Sequence, residues 1–213
     1  MNALNSDGST AADAATLALL RNELDEETLF LPGFISAPEE LLASARRDAT
    51  WDTSMDVREM ANFGVPWTST HLVFPRIEMP DYLMEICRRI SLELGERGFM
   101  PNNCLLNFYK NGQSTMGFHS DNVNEMIEGT GVAIVSLGAV RELTFRRLDD
   151  KARRFRFSLE NGSLFFMSRE LQHKWQHGVM GASRKIGARM SLTFRQVPED
   201  GRRVERSPHS GGY

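Results

Sequence analysis

The segment Arg189-Met190-Ser191-Leu192-Thr193-Phe194-Arg195 alternates strictly between polar and apolar side chains, and a period of two puts successive residues on opposite faces of a strand. Met190, Leu192 and Phe194 then belong to an apolar layer, while Arg189, Ser191, Thr193 and Arg195 share the other face. On the outside of a sheet this is an ordinary amphipathic strand with both arginines in water. Lining the inside of a small barrel, the same face holds two guanidiniums where water is scarce. A buried cation needs a partner, since breaking a buried pair costs about 3–5 kcal/mol. Arginine's flat fork suits a carboxylate held by two parallel hydrogen bonds, so the barrel reading predicts a dicarboxylate ligand.

The rest of the chain favours the barrel. Short strand-like segments occur at Cys104–Tyr109, Val132–Leu137, Glu142–Arg147, Arg153–Leu159, Ser163–Met167 and His177–Met180, with turn signals such as Lys110-Asn111-Gly112 and Glu160-Asn161-Gly162 between them. Such spacing predicts a sandwich or barrel. The front half reads as helical. Ala14–Leu24 has the apolar spacing of a short helix. Ser36-Ala37-Pro38-Glu39-Glu40 opens another, with Ser36 as cap and Pro38 in the first turn. Asp81–Arg97 places Leu83, Ile86, Ile90 and Leu94 on one stripe facing a core. The expected fold is therefore α+β and mainly β, a jelly roll backed by N-terminal helices.

With 213 residues the chain can bury one good core. A single domain is expected over residues 16–197, with its strand-rich core at about residues 100–197. Residues 1–15, polar and without the basic start of a secretory signal, are expected to be disordered, and residues 198–213 to form a flexible tail. No window of about 20 apolar residues exists, which excludes a membrane-spanning helix. Cys87 and Cys104 lie in apolar surroundings without metal-like spacing. They read as packed core thiols in a reducing, cytoplasmic setting.

Gly117-Phe118-His119-Ser120-Asp121 supplies an imidazole and a carboxylate two residues apart. A later histidine completes the ligand set of a non-haem iron(II) oxygenase, in which two imidazoles and one carboxylate leave positions open for a co-substrate and oxygen. By itself His-x-Asp also reads as two solvated loop residues. Either His173 or His177 suits the distal position by spacing, and His177 begins an apolar run that can enter a strand. His71 and His209 have no partners in sequence and read as structural or solvated. An iron(II) centre beside a buried arginine suits 2-oxoglutarate, whose keto-acid end chelates the metal while its far carboxylate reaches the guanidinium.

These pieces, in this order and spacing, resemble the AlkB-like iron(II)/2-oxoglutarate dioxygenases from about Arg58 to Arg195. The resemblance runs through Arg58-Glu-Met-Ala-Asn-Phe-Gly64, Cys104-Leu-Leu-Asn107-Phe-Tyr109-Lys-Asn-Gly112, Gly117-Phe-His119-Ser-Asp121 and Val135-Ser-Leu-Gly138-Ala-Val-Arg141. It continues in Gly162-Ser-Leu-Phe-Phe-Met167, Trp175-Gln-His177 and the terminal arginine-flanked strand. It implies a double-stranded β-helix, with Fe(II), 2-oxoglutarate and O2 as cofactors and with His119, Asp121 and His177 as the catalytic iron ligands. It further implies that Asn107 and Tyr109 hydrogen-bond 2-oxoglutarate, that Arg189 pairs with its far carboxylate, and that Arg195 lies near the cofactor and the metal carboxylate. Ser191 stands where many members carry Asn, and its shorter side chain reaches less far toward the cofactor. Phe63 and Trp67 fall in the stretch 58–67 that would form a lid and stack on a flat substrate ring, although loop aromatics also serve as satellite core.

Substrate is less well marked. Family members that repair alkylated bases carry an acid one or two places after the metal Asp, where this chain has Asn122 and Val123; Glu125 comes later. Up to residue 140 the chain has 9 basic and 20 acidic side chains, and from Arg141 onward 16 and 8. The run Arg146, Arg147, Lys151, Arg153, Arg154, Arg156 would face phosphates in a nucleic-acid binder, or form a solvated hairpin that offsets the acidic half. The first reading is a dealkylase of N-alkylated bases in DNA or RNA, releasing succinate, CO2 and an aldehyde as in DNA alkylation repair, with Asn122 near the substrate. The second is the same iron chemistry on a small molecule or a protein side chain. The third, a binding module without catalysis, is opposed by the intact triad.

Overall fold

A computed structural model describes residues 19, 21–69, 72–95, 98–182 and 185–199. Chain order gives β1 (Thr28–Leu31), α1 (Pro38–Asp48), β2 (Glu59–Gly64), β3 (Trp67–Ser69), β4 (Leu72–Phe74), α2 (Asp81–Glu93), β5 (Asn103–Tyr109) and β6 (Met116–His119). There follow β7 (Gly131–Gly138), β8 (Arg141–Arg147), β9 (Arg154–Leu159), β10 (Leu164–Ser168), β11 (Trp175–Val179) and β12 (Arg189–Arg195). A six-stranded sheet runs β1-β10-β7-β12-β5-β2, a four-stranded sheet β6-β11-β8-β9, and β3 pairs with β4 in a hairpin. Every pairing is antiparallel. This is the jelly roll expected from the strand pattern.

The period of two sorts the large sheet into two apolar layers. Met190, Leu192 and Phe194 of β12 share one layer with Cys104 and Leu106 of β5, with Ala133, Val135 and Leu137 of β7, and with Leu83, Ile86 and Ile90 of α2. The alternate residues Leu105, Val132, Ile134, Phe165 and Met167 face the four-stranded sheet and meet Leu143, Phe145, Trp175 and Val179. Both faces are buried, so β7 and β10 read as near-continuous apolar runs. Each fully buried Leu, Phe or Met contributes about 1.5–3 kcal/mol. Burial pushes the Cys87 thiol up to about 12, and both cysteines are packed core thiols as expected. No helix among the described residues is long and apolar enough to cross a membrane.

Several local expectations are corrected. The N-cap of α1 is Ala37 and not Ser36, and no side chain caps it; Pro38 in the first turn, Glu39 and Glu40 there, and Arg46 and Arg47 in the last turn supply the start and the charge pattern instead. Helix α2 ends at Glu93, short of Arg97. Strand β11 begins at Trp175, two residues before the predicted start. Residues 21–27 are helical, and the remainder of the predicted helix 14–24, apart from residue 19, lies outside the described residues, as do the expected disordered segment 1–15 and residues 200–213 of the tail. Within the tail, Glu199 pairs with Arg76 at 2.8 Å.

The expected lid also changes character. Residues 59–64 are strand β2, paired in register with β5 and buried along nearly its whole length. Gly64 ends it at φ +83°, where an added Cβ would lie 2.1 Å from the Asn102 carbonyl oxygen. Gly64→Ala is expected to lose at least the roughly 1–3 kcal/mol of a strained backbone, because the carbonyl must also move. Gly33→Ala, at φ +66° in open space, carries the conformational cost alone. Denaturant midpoints of the two variants should fall in that order.

Candidate active site

Strand pairing brings the separated metal-ligand candidates together. His177 of β11 stands directly opposite His119 at the end of β6, and the register shifts beyond it, between His177 and Val179. The two rings lie 4.4 Å apart between centroids. Asp121 follows two residues after His119, just beyond the end of β6, and its carboxylate faces both rings. Its Oδ1 is 3.9 Å from His119 Nε2, and its Oδ2 is 4.0 Å from His177 Nε2. One ligand atom from each residue can be chosen so that all lie within 4.8 Å of one another. His173, the alternative, lies in a 3-10 turn, Glu170–His173, with its side chain 53% exposed and a Glu170 carboxylate oxygen 4.0 Å away.

The donor set fits a metal ion. Asp121 Oδ2 is buried with no hydrogen-bond partner, while Oδ1 accepts from Arg195 Nη2 at 2.9 Å. Burial opposes the charge on Asp121, but the Arg195 guanidinium beside it outweighs burial and holds the carboxyl at about 2. His119 Nδ1 donates to the Gly117 carbonyl at 3.0 Å, which leaves the Nε2 lone pair available. Burial, reinforced by His119, pushes His177 down to about 3, so its imidazole is neutral, the form that ligates. Two nitrogens and one oxygen on one side of a point are the pattern of a facial iron(II) site.

The polar face of β12 lines the same cavity, of about 660 Å³, together with residues of the facing sheet. Arg189 is 1% exposed. Its Nη2 donates to Ser136 Oγ at 2.8 Å, but Nε and Nη1 are buried without partners. Its guanidinium lies 5.1 Å from the centre of the Tyr109 ring, and burial lowers its pKa. A buried guanidinium with two idle donors beside a metal-ligand cluster asks for an anion. Register sets Tyr109 opposite Arg189, and Asn107 opposite Ser191, and all four line the cavity.

The predicted substrate contacts divide. Trp67 lines the cavity with the Arg195 guanidinium 4.4 Å from its ring centre. Phe63 does not reach the cavity and packs in the helix-side layer opposite Cys104. Asn122 lines the cavity, with its amide donating to Glu125 at 2.7 Å and accepting from Asn124 N at 3.2 Å. Glu125, passed over as too late in sequence, also lines the wall. So does Arg58, 7% exposed, which donates to Asn107 Oδ1 at 3.0 Å and to the Thr115 carbonyl. Ser136 and Gln172, which accepts from Asp121 N at 2.9 Å, were missed as well. Arg58 and Ser136 sit within motifs quoted above; nothing in the sequence marks Gln172.

Comparison with known proteins agrees with this geometry. The chain is 30% identical over 141 residues, 63% of its length and 50% of the relative's, to the bovine (Bos taurus) protein named DNA oxidative demethylase ALKBH2. It is 26% identical to the rat (Rattus norvegicus) alpha-ketoglutarate-dependent dioxygenase alkB homolog 3, over 80% of this chain and 64% of that one. The chain thus spans about half to two thirds of the length of these relatives. In fold it is similar to the solved structure titled "The structure of OsALKBH1", with a TM-score of 0.62 at 18% identity, covering 80% of this chain and 98% of the other. The profile of the 2OG-Fe(II) oxygenase superfamily matches residues 34–195, and the chain belongs to that superfamily, among its AlkB-like members.

Proposed function

We propose that this protein oxidatively dealkylates N-alkylated bases in DNA or RNA, using iron(II), 2-oxoglutarate and O2. The observation that carries the enzymatic part is the buried Arg189, with two idle guanidinium nitrogens, in one cavity with His119, Asp121 and His177. When bound, iron(II) would couple decarboxylation of 2-oxoglutarate to hydroxylation of a C–H bond, and on an N-alkyl carbon the product releases an aldehyde.

In this reading His119 Nε2, His177 Nε2 and Asp121 Oδ2 hold the metal. Arg195 keeps Asp121 ionised and occupies its other oxygen. Arg189 grips the far carboxylate of the co-substrate, beside Tyr109, Asn107 and Ser191. Because Arg58 Nε donates to Asn107 Oδ1, the Asn107 amide nitrogen is left to donate to the co-substrate. Leu105, Ile134, Leu143 and Val179 on the cavity wall exclude water from the reacting atoms.

For the nucleic-acid part, support comes from the relatives' names and from the chemistry around Phe118. This ring lines the cavity one residue from His119, with Arg146 and Arg154 at 4.1 and 5.6 Å from its centre, a pairing of aromatic and cation that suits bases and phosphates. Other members of the basic run are paired: Arg147 with Glu23 and Asp149 at 2.7 Å, and Arg153 with Asp150 at 3.3 Å. Glu125 offers a carboxylate to an exocyclic amino group or a cationic alkylated ring. One observation favours the second reading, a small acidic substrate: Arg58 is a buried cavity cation with only neutral hydrogen-bond partners.

Succinate release measured with a methylated oligonucleotide, with its unmethylated DNA and RNA counterparts and with small N-methylated acids tests the choice. Stimulation by the methylated strand alone is expected. If it stimulates no more than unmethylated controls, the nucleic-acid assignment fails.

A further inference from the structure

Asp121 lies outside both sheets, on the segment between β6 and the 3-10 turn Val123–Glu125, yet its carboxylate must stand in one place to face two histidines. Besides the Arg195 contact to the carboxylate itself, three hydrogen bonds tie that segment to residues 169–175, the connection between β10 and β11 and the first residue of β11. Ser120 Oγ donates to the Trp175 carbonyl at 3.1 Å, Asp121 N donates to Gln172 Oε1 at 2.9 Å, and Arg169 Nε donates to the Val123 carbonyl at 3.1 Å. The connection is itself pinned. Leu171 N donates to Ser168 Oγ at 3.1 Å, Gln172 N to the Arg169 carbonyl at 3.2 Å, and Lys174 N to the Leu171 carbonyl at 3.1 Å.

Gln172 is the central contact. Its side chain is buried, with the residue 4% exposed, and its Nε2 has no hydrogen-bond partner. Stranding an amide donor in the interior is costly, and an apolar side chain of the same size would avoid that cost. Only the amide oxygen can accept from a backbone N–H, so the orientation of this amide is fixed by the Asp121 contact. The oxygen is thus held at Asp121 at the expense of the nitrogen.

We infer that Gln172 is a positioning residue: by holding the Asp121 main chain it sets the carboxylate opposite His119 and His177 before any metal arrives. This rests on reading the three residues as a metal centre. The connection that carries Gln172 runs directly into β11, so one short segment locates both the carboxylate and His177. Partners behind a ligand typically change metal affinity by about 10–100-fold.

Co(II) titration of the metal-free full chain, followed by its ligand-field absorption and not by turnover, tests this. Gln172→Met keeps length and volume but removes the acceptor, and should weaken Co(II) binding about 10-fold or more with an altered band shape. Gln172→Glu keeps an oxygen at the same place and should bind at least as tightly as the parent. Co(II) affinity of a folded Gln172→Met within about 2-fold of the parent, or equal losses in both variants, would overturn the inference, since the first makes the contact idle and the second reduces it to packing. Amide exchange of the unaltered metal-free protein needs no variant: the Asp121 amide should be protected, and exchange at the open-chain rate would sink the idea. If the unaltered chain takes up no Co(II), the metal centre fails. If it binds while Gln172→Met matches it, only the role of Gln172 fails.

Discussion

Replacing His177 by alanine is expected to abolish turnover and to weaken metal binding by more than the roughly 10–100-fold that follows loss of a partner behind a ligand, whereas His173→Ala should leave binding within about 2-fold. The two residues are four apart, His173 in the 3-10 turn and His177 in the strand that follows it, so the contrast isolates position from composition. His177 is 4% exposed and stands opposite His119; the side chain of His173 is 53% exposed and faces Glu170. Without the His177 imidazole, His119 Nε2 and Asp121 supply two ligands where three are needed, and the buried Asp121 Oδ2 keeps no counterpart except Arg195 across its other oxygen. Isothermal titration with Mn(II) together with succinate formation reads both effects, and a thermal melt separates them from loss of fold. The reverse result, with His173→Ala losing metal and His177→Ala retaining it, would move the distal ligand to the turn.

Why the sequence separates these cases only in part follows from where the determinants lie. The alternation in β12 places Arg189, Ser191, Thr193 and Arg195 on one face, and the structure keeps all four on the cavity wall, because periodicity is a local property of the chain. His119 and Asp121 are likewise a local pair. The choice between His173 and His177 is set by register with β6, a contact across more than fifty residues, and spacing alone leaves it open. Strand β2 shows the limit from another side. Its run Glu59-Met-Ala-Asn-Phe-Gly64 has no clean period, since Glu59 is buried against Lys110 and Arg46, and Asn62 against Asn103. Phe63 then follows the parity of Ala61 into the helix-side layer, which is why the expected stacking residue is core. Arg58, Gln172 and Ser136 reach their partners across 49, 51 and 53 residues, and no local pattern names those partners.

Arg189→Met should raise the dissociation constant for 2-oxoglutarate by about 30-fold or more, on the basis that removing one member of a buried, hydrogen-bonded charge pair costs about 2–5 kcal/mol and that about 1.4 kcal/mol is tenfold. Arg189→Lys should recover part of this, since an ammonium restores the charge but not the two-pronged geometry. Metal affinity measured without 2-oxoglutarate should stay near that of the parent, because among the described residues the Arg189 guanidinium donates to Ser136 and makes no hydrogen bond or ion pair to the three ligands. Stability separates this prediction from a generic core defect. In the ligand-free protein Arg189 is a buried cation with two idle donors, and exchanging such a group for an apolar side chain of similar length is often neutral or stabilising. Arg189→Met is therefore expected to melt no lower than the parent without ligand, while losing the upward shift that excess 2-oxoglutarate gives the parent through linked binding. A co-substrate affinity within about 3-fold of the parent, against the loss expected for a buried charge pair, would mean that another cation takes the far carboxylate. Arg58, buried on the same wall with only neutral partners, is then the group left to test.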